Sequence, residues 1–211
     1  MPRTVKDPEE RRRELLECAM GLFAEEGYDN VSVRAVARAA GVAPGLAYHY
    51  FDSKERLFAA AIGHYAARCA EGACAILDDR ALSLDEKIER CIGAMSDHAA
   101  FPHADYFHAE GNGALHDRLS LAVCEAVRPH LAAALELDAF TRGAPADGAG
   151  ELASIMVYGC VGLASGPGIP DEASLAAARR YLGALVAEFR SGRTGSAGKG
   201  AESADPPSLK S

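Results

Sequence analysis

Apolar residues in this chain recur at spacings of three and four, and the runs they form are bracketed by hydroxyl or carboxyl residues on one side and by glycines on the other. That spacing puts apolar side chains on one side of a helix, whereas a half-buried strand needs strict alternation. Leu15, Leu16, Ala19, Leu22 and Phe23 follow Asp7-Pro8-Glu9-Glu10 and stop at Gly27. Asp7 is expected to cap this helix, Pro8 to fill its first position and Glu10 to complete a capping box. Ser32 is expected to cap a second, short helix with Val33, Val36, Ala37 and Ala40 inward, ended by Gly41. A third starts near Pro44 and carries Leu46, Ala47 and Tyr50. No segment sustains period-two alternation with β-branched residues, so the predicted fold class is all-α.

Asp52-Ser53-Lys54-Glu55 opens a longer helix with Leu57, Phe58, Ala61, Ile62 and Tyr65 along one side, continuing through Cys69 towards Leu77. Ser83-Leu84-Asp85-Glu86 is a second capping box, leading Ile88, Cys91, Ile92 and Met95. Pro102 is expected to restart a short helix that fades at 111–113. A helix over 115–137 contains Pro129, which should kink or split it. Two apolar helices, about 150–165 and 172–189, follow with a Gly-Pro-Gly turn between them. Beyond Ser191 the chain turns to Gly, Ser, Ala, Lys and Pro, the composition of a disordered tail over 191–211.

The chain's 211 residues suffice for a core that needs no disulfides. Its six cysteines are dispersed, without a C-x-x-C pair, as suits buried thiols in a reducing cytoplasm. No signal peptide or membrane span is legible. The net charge of −8 argues against a protein that merely coats nucleic acid, but residues 1–65 carry only −1 of it. A local face can still meet phosphate.

The segment 41–51 reads GVAPGLAYHYF and crowds a histidine and two tyrosines next to a glycine turn. Two short helices joined by such a turn and braced by a longer one make a helix-turn-helix, whose second helix enters the major groove N-terminus first. Here those first residues are Ala43, Pro44, Gly45 and Leu46. Gly45 allows close backbone approach, Tyr48 suits phosphate and edge contacts, His49 and Tyr50 extend the row, and Lys54 offers a charge. The run DNVSVRAVARAAGVAPGLAYHYFDSKERLF over 29–58 resembles the DNA-binding domain of the tetracycline-repressor (TetR) family of bacterial regulators. The resemblance implies operator contacts at Ser32, Arg34, Pro44, Gly45, Leu46, Tyr48, His49, Tyr50 and Lys54. Two departures stand out, because members usually carry a hydroxyl or small residue where this chain has Ala43 and Leu46. Leu46 can touch a thymine methyl but cannot donate a hydrogen bond to a base.

The resemblance also implies a cytoplasmic transcriptional regulator, most readily a repressor, with no cofactor and no enzymatic activity. It would bind a palindromic double-stranded DNA operator as a homodimer and be released by a small-molecule effector. The expected organisation is a DNA-binding domain over 1–52 and an effector-binding and dimerisation domain over 53–190. Ile155, Tyr158, Gly159 and Gly162 on one late helix, with Tyr181, Leu182, Leu185 and Phe189 on the other, are the expected dimer face.

The centre of the chain concentrates His98, His103, Asp105, His108, Glu110, His116 and Asp117. Imidazole and carboxylate together suit zinc or nickel, which opens an alternative: a metal-responsive regulator or a metal-binding enzyme. No recognised ligand spacing is present, and the preferred expectation names no metal ligand. It makes the segment an effector pocket wall with Cys91, Met95, His98, Phe101, Tyr106, Phe107, His108, Asn112 and Tyr158. An ordinary core with solvated histidines is the third reading. Oxidation sensing through Cys69, Cys74 or Cys91 is disfavoured, since residues five apart face different sides of a helix.

Overall fold

The computed structural model describes residues 7–95, 103–164 and 171–192. These residues hold helices α1 (Pro8–Glu26), α2 (Val33–Ala39), α3 (Pro44–Tyr50), α4 (Lys54–Asp78), α5 (Leu84–Ala94), α6 (Ala104–His108), α7 (Gly113–Thr141), α8 (Ala149–Ala164) and α9 (Glu172–Arg190), with no strand among them. The chain is all-α. The Gly-Pro-Gly turn and the segment beyond 192 lie outside the described residues.

Local chemistry sets most helix ends. Ser32, Ser53 and Ser83 each accept a hydrogen bond from the amide three residues on, and Ser83 and Glu86 close a reciprocal capping box. Asp7 is a correction: its side chain makes no cap bond, and its carbonyl accepts from the Arg11 amide instead. Of the two outcomes expected at Pro129, a kink or a split, the split does not occur, because α7 runs through it as one helix. Pro129 is exposed, so the carbonyl it leaves without an amide partner can bind water.

Two apolar clusters organise the helices. The N-terminal one holds Leu15, Leu16, Phe23, Val36, Ala47 and Phe51, and extends past the expected boundary at 52/53 along α4 to Tyr65 and on to Phe107 of α6. The other gathers Leu77 from the end of α4 with residues of α5, α7, α8 and α9. Helix α4 thus belongs to both. Where the second cluster closes, Arg190 reaches Asp85 and Asp138 at 2.9 Å each, and Arg142 reaches Asp138 at 2.8 Å. No helix among the described residues is long and apolar enough to cross a membrane.

Candidate nucleic-acid interface

Helix α2 buries Val33, Val36 and Ala37 and ends in a left-handed glycine turn. Gly41 has φ +66°, its amide donates to the Arg38 carbonyl at 3.1 Å, and the Val42 amide donates to the Ala37 carbonyl at 2.9 Å. Those two bonds satisfy the last carbonyls of α2 and turn the chain into α3. Within α3 only Ala47 is buried. Pro44, Gly45, Leu46, Tyr48 and His49 are exposed, Tyr48 to 43 %, and so is Arg34 on α2. A seven-residue helix that buries one alanine and shows its aromatic and imidazole rings to solvent presents those rings to something else.

Three of the expected contacts have work inside the fold. Ser32 is exposed, but its hydroxyl caps α2, accepting from the Ala35 amide at 3.2 Å. The Tyr50 hydroxyl donates to the Pro8 carbonyl at 3.2 Å, tying the end of α3 to the start of α1. Lys54, expected to offer its charge to a phosphate, is engaged within the fold: Nζ donates to the carbonyls of Tyr28 at 3.0 Å and Asp29 at 3.2 Å, and sits 4.3 Å from the Tyr28 ring centroid. That ring packs against Phe58 at 4.7 Å and Phe23 at 5.8 Å. Lys54 and Tyr50 therefore fix how α3 is presented. The residue missed in the sequence is Arg38, exposed one turn after Arg34 on α2. The i, i+4 spacing of the two arginines was the available signal.

The expected effector wall is not gathered in one place. Cys91 and Met95 pack on the C-terminal cluster. Tyr106 and Phe107 pack instead on the N-terminal one, with Phe107 stacked on Tyr65 at 5.1 Å. Asn112 donates to the Tyr106 carbonyl at 2.7 Å, His108 and Tyr158 are exposed, and His98 and Phe101 lie outside the described residues. The His108 and His116 rings are 5.0 Å apart, yet no three His, Cys, Asp or Glu side chains among the described residues are grouped to hold a metal ion. The metal alternative is thus unsupported.

The expected dimer face divides too. Ile155, Tyr158, Gly159, Gly162 and Tyr181 are exposed, Ile155 and Tyr181 to 60 % each. Leu182 and Phe189 are buried and Leu185 half-buried in the chain's own C-terminal cluster, whereas Tyr181 on the same helix is exposed.

A helix-turn-helix with an exposed second helix, carried on an all-α body, defines a DNA-binding regulator of transcription. The sequence model of the tetR family of bacterial regulatory proteins matches residues 15–61. The HTH-type transcriptional regulator BetI of Brucella suis is 30% identical over 182 residues, covering 82% of this chain and 89% of that protein. The HTH-type transcriptional repressor AcnR of Corynebacterium efficiens is 44% identical over 68 residues, 32% of this chain. That match spans only 36% of AcnR's length. The solved structure of Salmonella enterica GusR has the same fold at 20% identity, with a TM-score of 0.56, covering 88% of this chain and 100% of that one. The chain belongs to the tetR family of bacterial regulatory proteins, and its relatives are transcriptional regulators rather than enzymes.

Proposed function

We propose that this regulator is a cytoplasmic repressor that binds a palindromic operator as a homodimer and is released by a small-molecule effector. The observation that carries the reading is α3, which buries Ala47 alone and exposes Pro44, Gly45, Leu46, Tyr48 and His49. Arg34 and Arg38 flank them from α2 and suit phosphate. Leu46 reads by apolar contact, and Ser32, Tyr50 and Lys54 contribute mainly by holding the helix pair in place.

Two copies joined through Ile155, Tyr158, Gly159 and Gly162 of α8 and Tyr181 of α9 would cover apolar surface that a monomer exposes. A two-fold dimer reaches both half-sites when its α3 helices stand about 34 Å apart, one turn of B-DNA. Helix α4 lies in both apolar clusters, so a ligand that reshapes the C-terminal cluster shifts α4 and with it that spacing. The effector belongs in the C-terminal cluster beside Cys91 and Met95, and it releases DNA only by as much as it prefers the non-binding arrangement. Sedimentation of the protein with fragments of its own upstream DNA tests the reading. The expected species holds two chains per operator; a single chain per operator, or no specific complex, contradicts it.

A further inference from the structure

Helix α7, like α4, belongs to both apolar clusters. Leu115 and Leu119 near its start pack on the N-terminal one, while Cys124, Leu131, Leu135 and Ala139 lie in the C-terminal one. Its 29 residues run as one helix and span about 43 Å. The C-terminal body therefore meets the DNA-reading head of α1 to α3 along two long helices.

Arg118 of α7 makes the most specific contact at that junction. Its guanidinium carbon sits 5.8 Å from the centre of the Phe58 ring, within cation–π range. Phe58 is 5 % exposed, whereas Arg118 is exposed and has no carboxylate partner among the described residues.

Phe58 belongs to a set of three touching rings. It meets Phe23 of α1 edge-on at 4.9 Å and Tyr28 of the α1–α2 loop at 4.7 Å. Tyr28 carries Lys54 on its ring, and its carbonyl accepts from Lys54 Nζ at 3.0 Å and from the Val31 amide at 3.4 Å. Two cations thus engage one aromatic set, Lys54 at Tyr28 and Arg118 at Phe58. Burial and the Glu55 carboxylate raise the Tyr28 hydroxyl above its ordinary value, and Arg118 opposes that rise, so its charge reaches the loop as well. The loop ends at Ser32, which caps α2, and the Gly41 turn joins α2 to α3. A shift of Phe58 against Tyr28 tilts the loop, and with it the helix pair.

Arg118 adds little to the cohesion of the head, because Phe23, Val31 and Phe58 are buried by the head's own helices. What it supplies is a direction: it fixes the ring set relative to α7.

We propose that Arg118 is a positioning residue for DNA binding, through which α7 holds the α2–α3 pair in its DNA-reading orientation. The contact favours that orientation by its own strength, which for an exposed cation–π pair is about twofold to fivefold in population. The inference rests on the regulator reading above, in which two heads share one operator and the effect multiplies.

The test compares the full chain with Arg118→Gln and Arg118→Lys on upstream DNA over a series of salt concentrations, beside thermal melts and amide NMR spectra without DNA. Arg118→Gln should lose roughly threefold or more in affinity, with a nearly unchanged melting temperature and an unchanged slope of log affinity against log salt. Arg118→Lys keeps a cation for the ring and should recover most of the loss. Without DNA, Arg118→Gln should shift the amides of Tyr28 to Val31 and of α2. A slope smaller by about one per chain would make Arg118 a direct phosphate contact and overturn the positioning role. Equal affinity for Arg118→Gln and the parent, or loop and α2 amides that stay in place, would overturn it too. If the parent protein binds no upstream DNA, the regulator reading fails, and the amide shifts still judge the Arg118 contact by themselves.

Discussion

Lys54 Nζ stands 4.3 Å from the centre of the Tyr28 ring while donating to the Tyr28 carbonyl at 3.0 Å, so one side chain clamps the start of α4 to the α1–α2 loop. Removing it deletes a half-buried cation–π contact and two hydrogen bonds, counting the one to Asp29. Lys54→Ala should therefore cost about 1 to 3 kcal/mol of stability, read by urea denaturation. Lys54→Arg should recover part of it. An unchanged midpoint for Lys54→Ala would mean that the clamp is not energetically important.

At Gly41 the backbone has φ +66°, and a built Cβ would meet no atom within 4 Å. The cost of a side chain there is backbone strain alone. Gly41→Ala should destabilise by about 1 kcal/mol, and Gly41→Asn by less, because asparagine tolerates the left-handed region. Thermal melts of the two variants check the order.

Asp138 joins α7 to α9 through Arg190. Its burial disfavours the charged carboxylate, but hydrogen bonds from Arg190 and Arg142 outweigh that and hold its carboxyl below the usual range. A depressed folded value means that the stabilisation is present above the ordinary carboxylate value of about 3.9 and fades as the pH falls through the lower folded one. Asp138→Asn should cost about 2 kcal/mol at neutral pH and flatten the acid limb of the stability profile. An identical acid limb in both proteins would contradict the assignment.

Ile155 and Tyr181 are each 60 % exposed, on α8 and α9. Ile155→Glu and Tyr181→Glu should leave the fold intact and shift the protein towards monomer at micromolar concentration in sedimentation equilibrium. A charge variant as dimeric as the parent would move the dimer interface elsewhere, and a monomeric parent protein would contradict the homodimer.

Helix ends were legible because caps are local: Ser32, Ser53, Ser83 and Gly41 each act within a few residues of themselves. The jobs of Lys54 and Tyr50 were not, since their partners lie 25 to 42 residues away in the chain. The division of the expected effector wall between two clusters was not legible for the same reason. The helix restart expected at Pro102 put Phe107 on a helix, but only the packing of α6 sends it to Tyr65. In α9 the repeat marked Leu182 and Phe189 as apolar, while sequence cannot tell the side that meets the chain's own core from the side that meets a partner. Tyr181 faces outward beside Leu182, which faces in.

The central claim is that the exposed side of α3 reads DNA while Tyr50 merely holds it. Anisotropy titration of upstream DNA at fixed salt, comparing the parent protein with Tyr48→Ala and Tyr50→Phe, tests this directly. Tyr48→Ala should lose roughly tenfold or more in affinity at unchanged thermal stability. Tyr50→Phe, which loses only the hydroxyl bond to Pro8, should bind nearly as the parent does. Equal binding by Tyr48→Ala and the parent, with both dimers intact, would contradict the account.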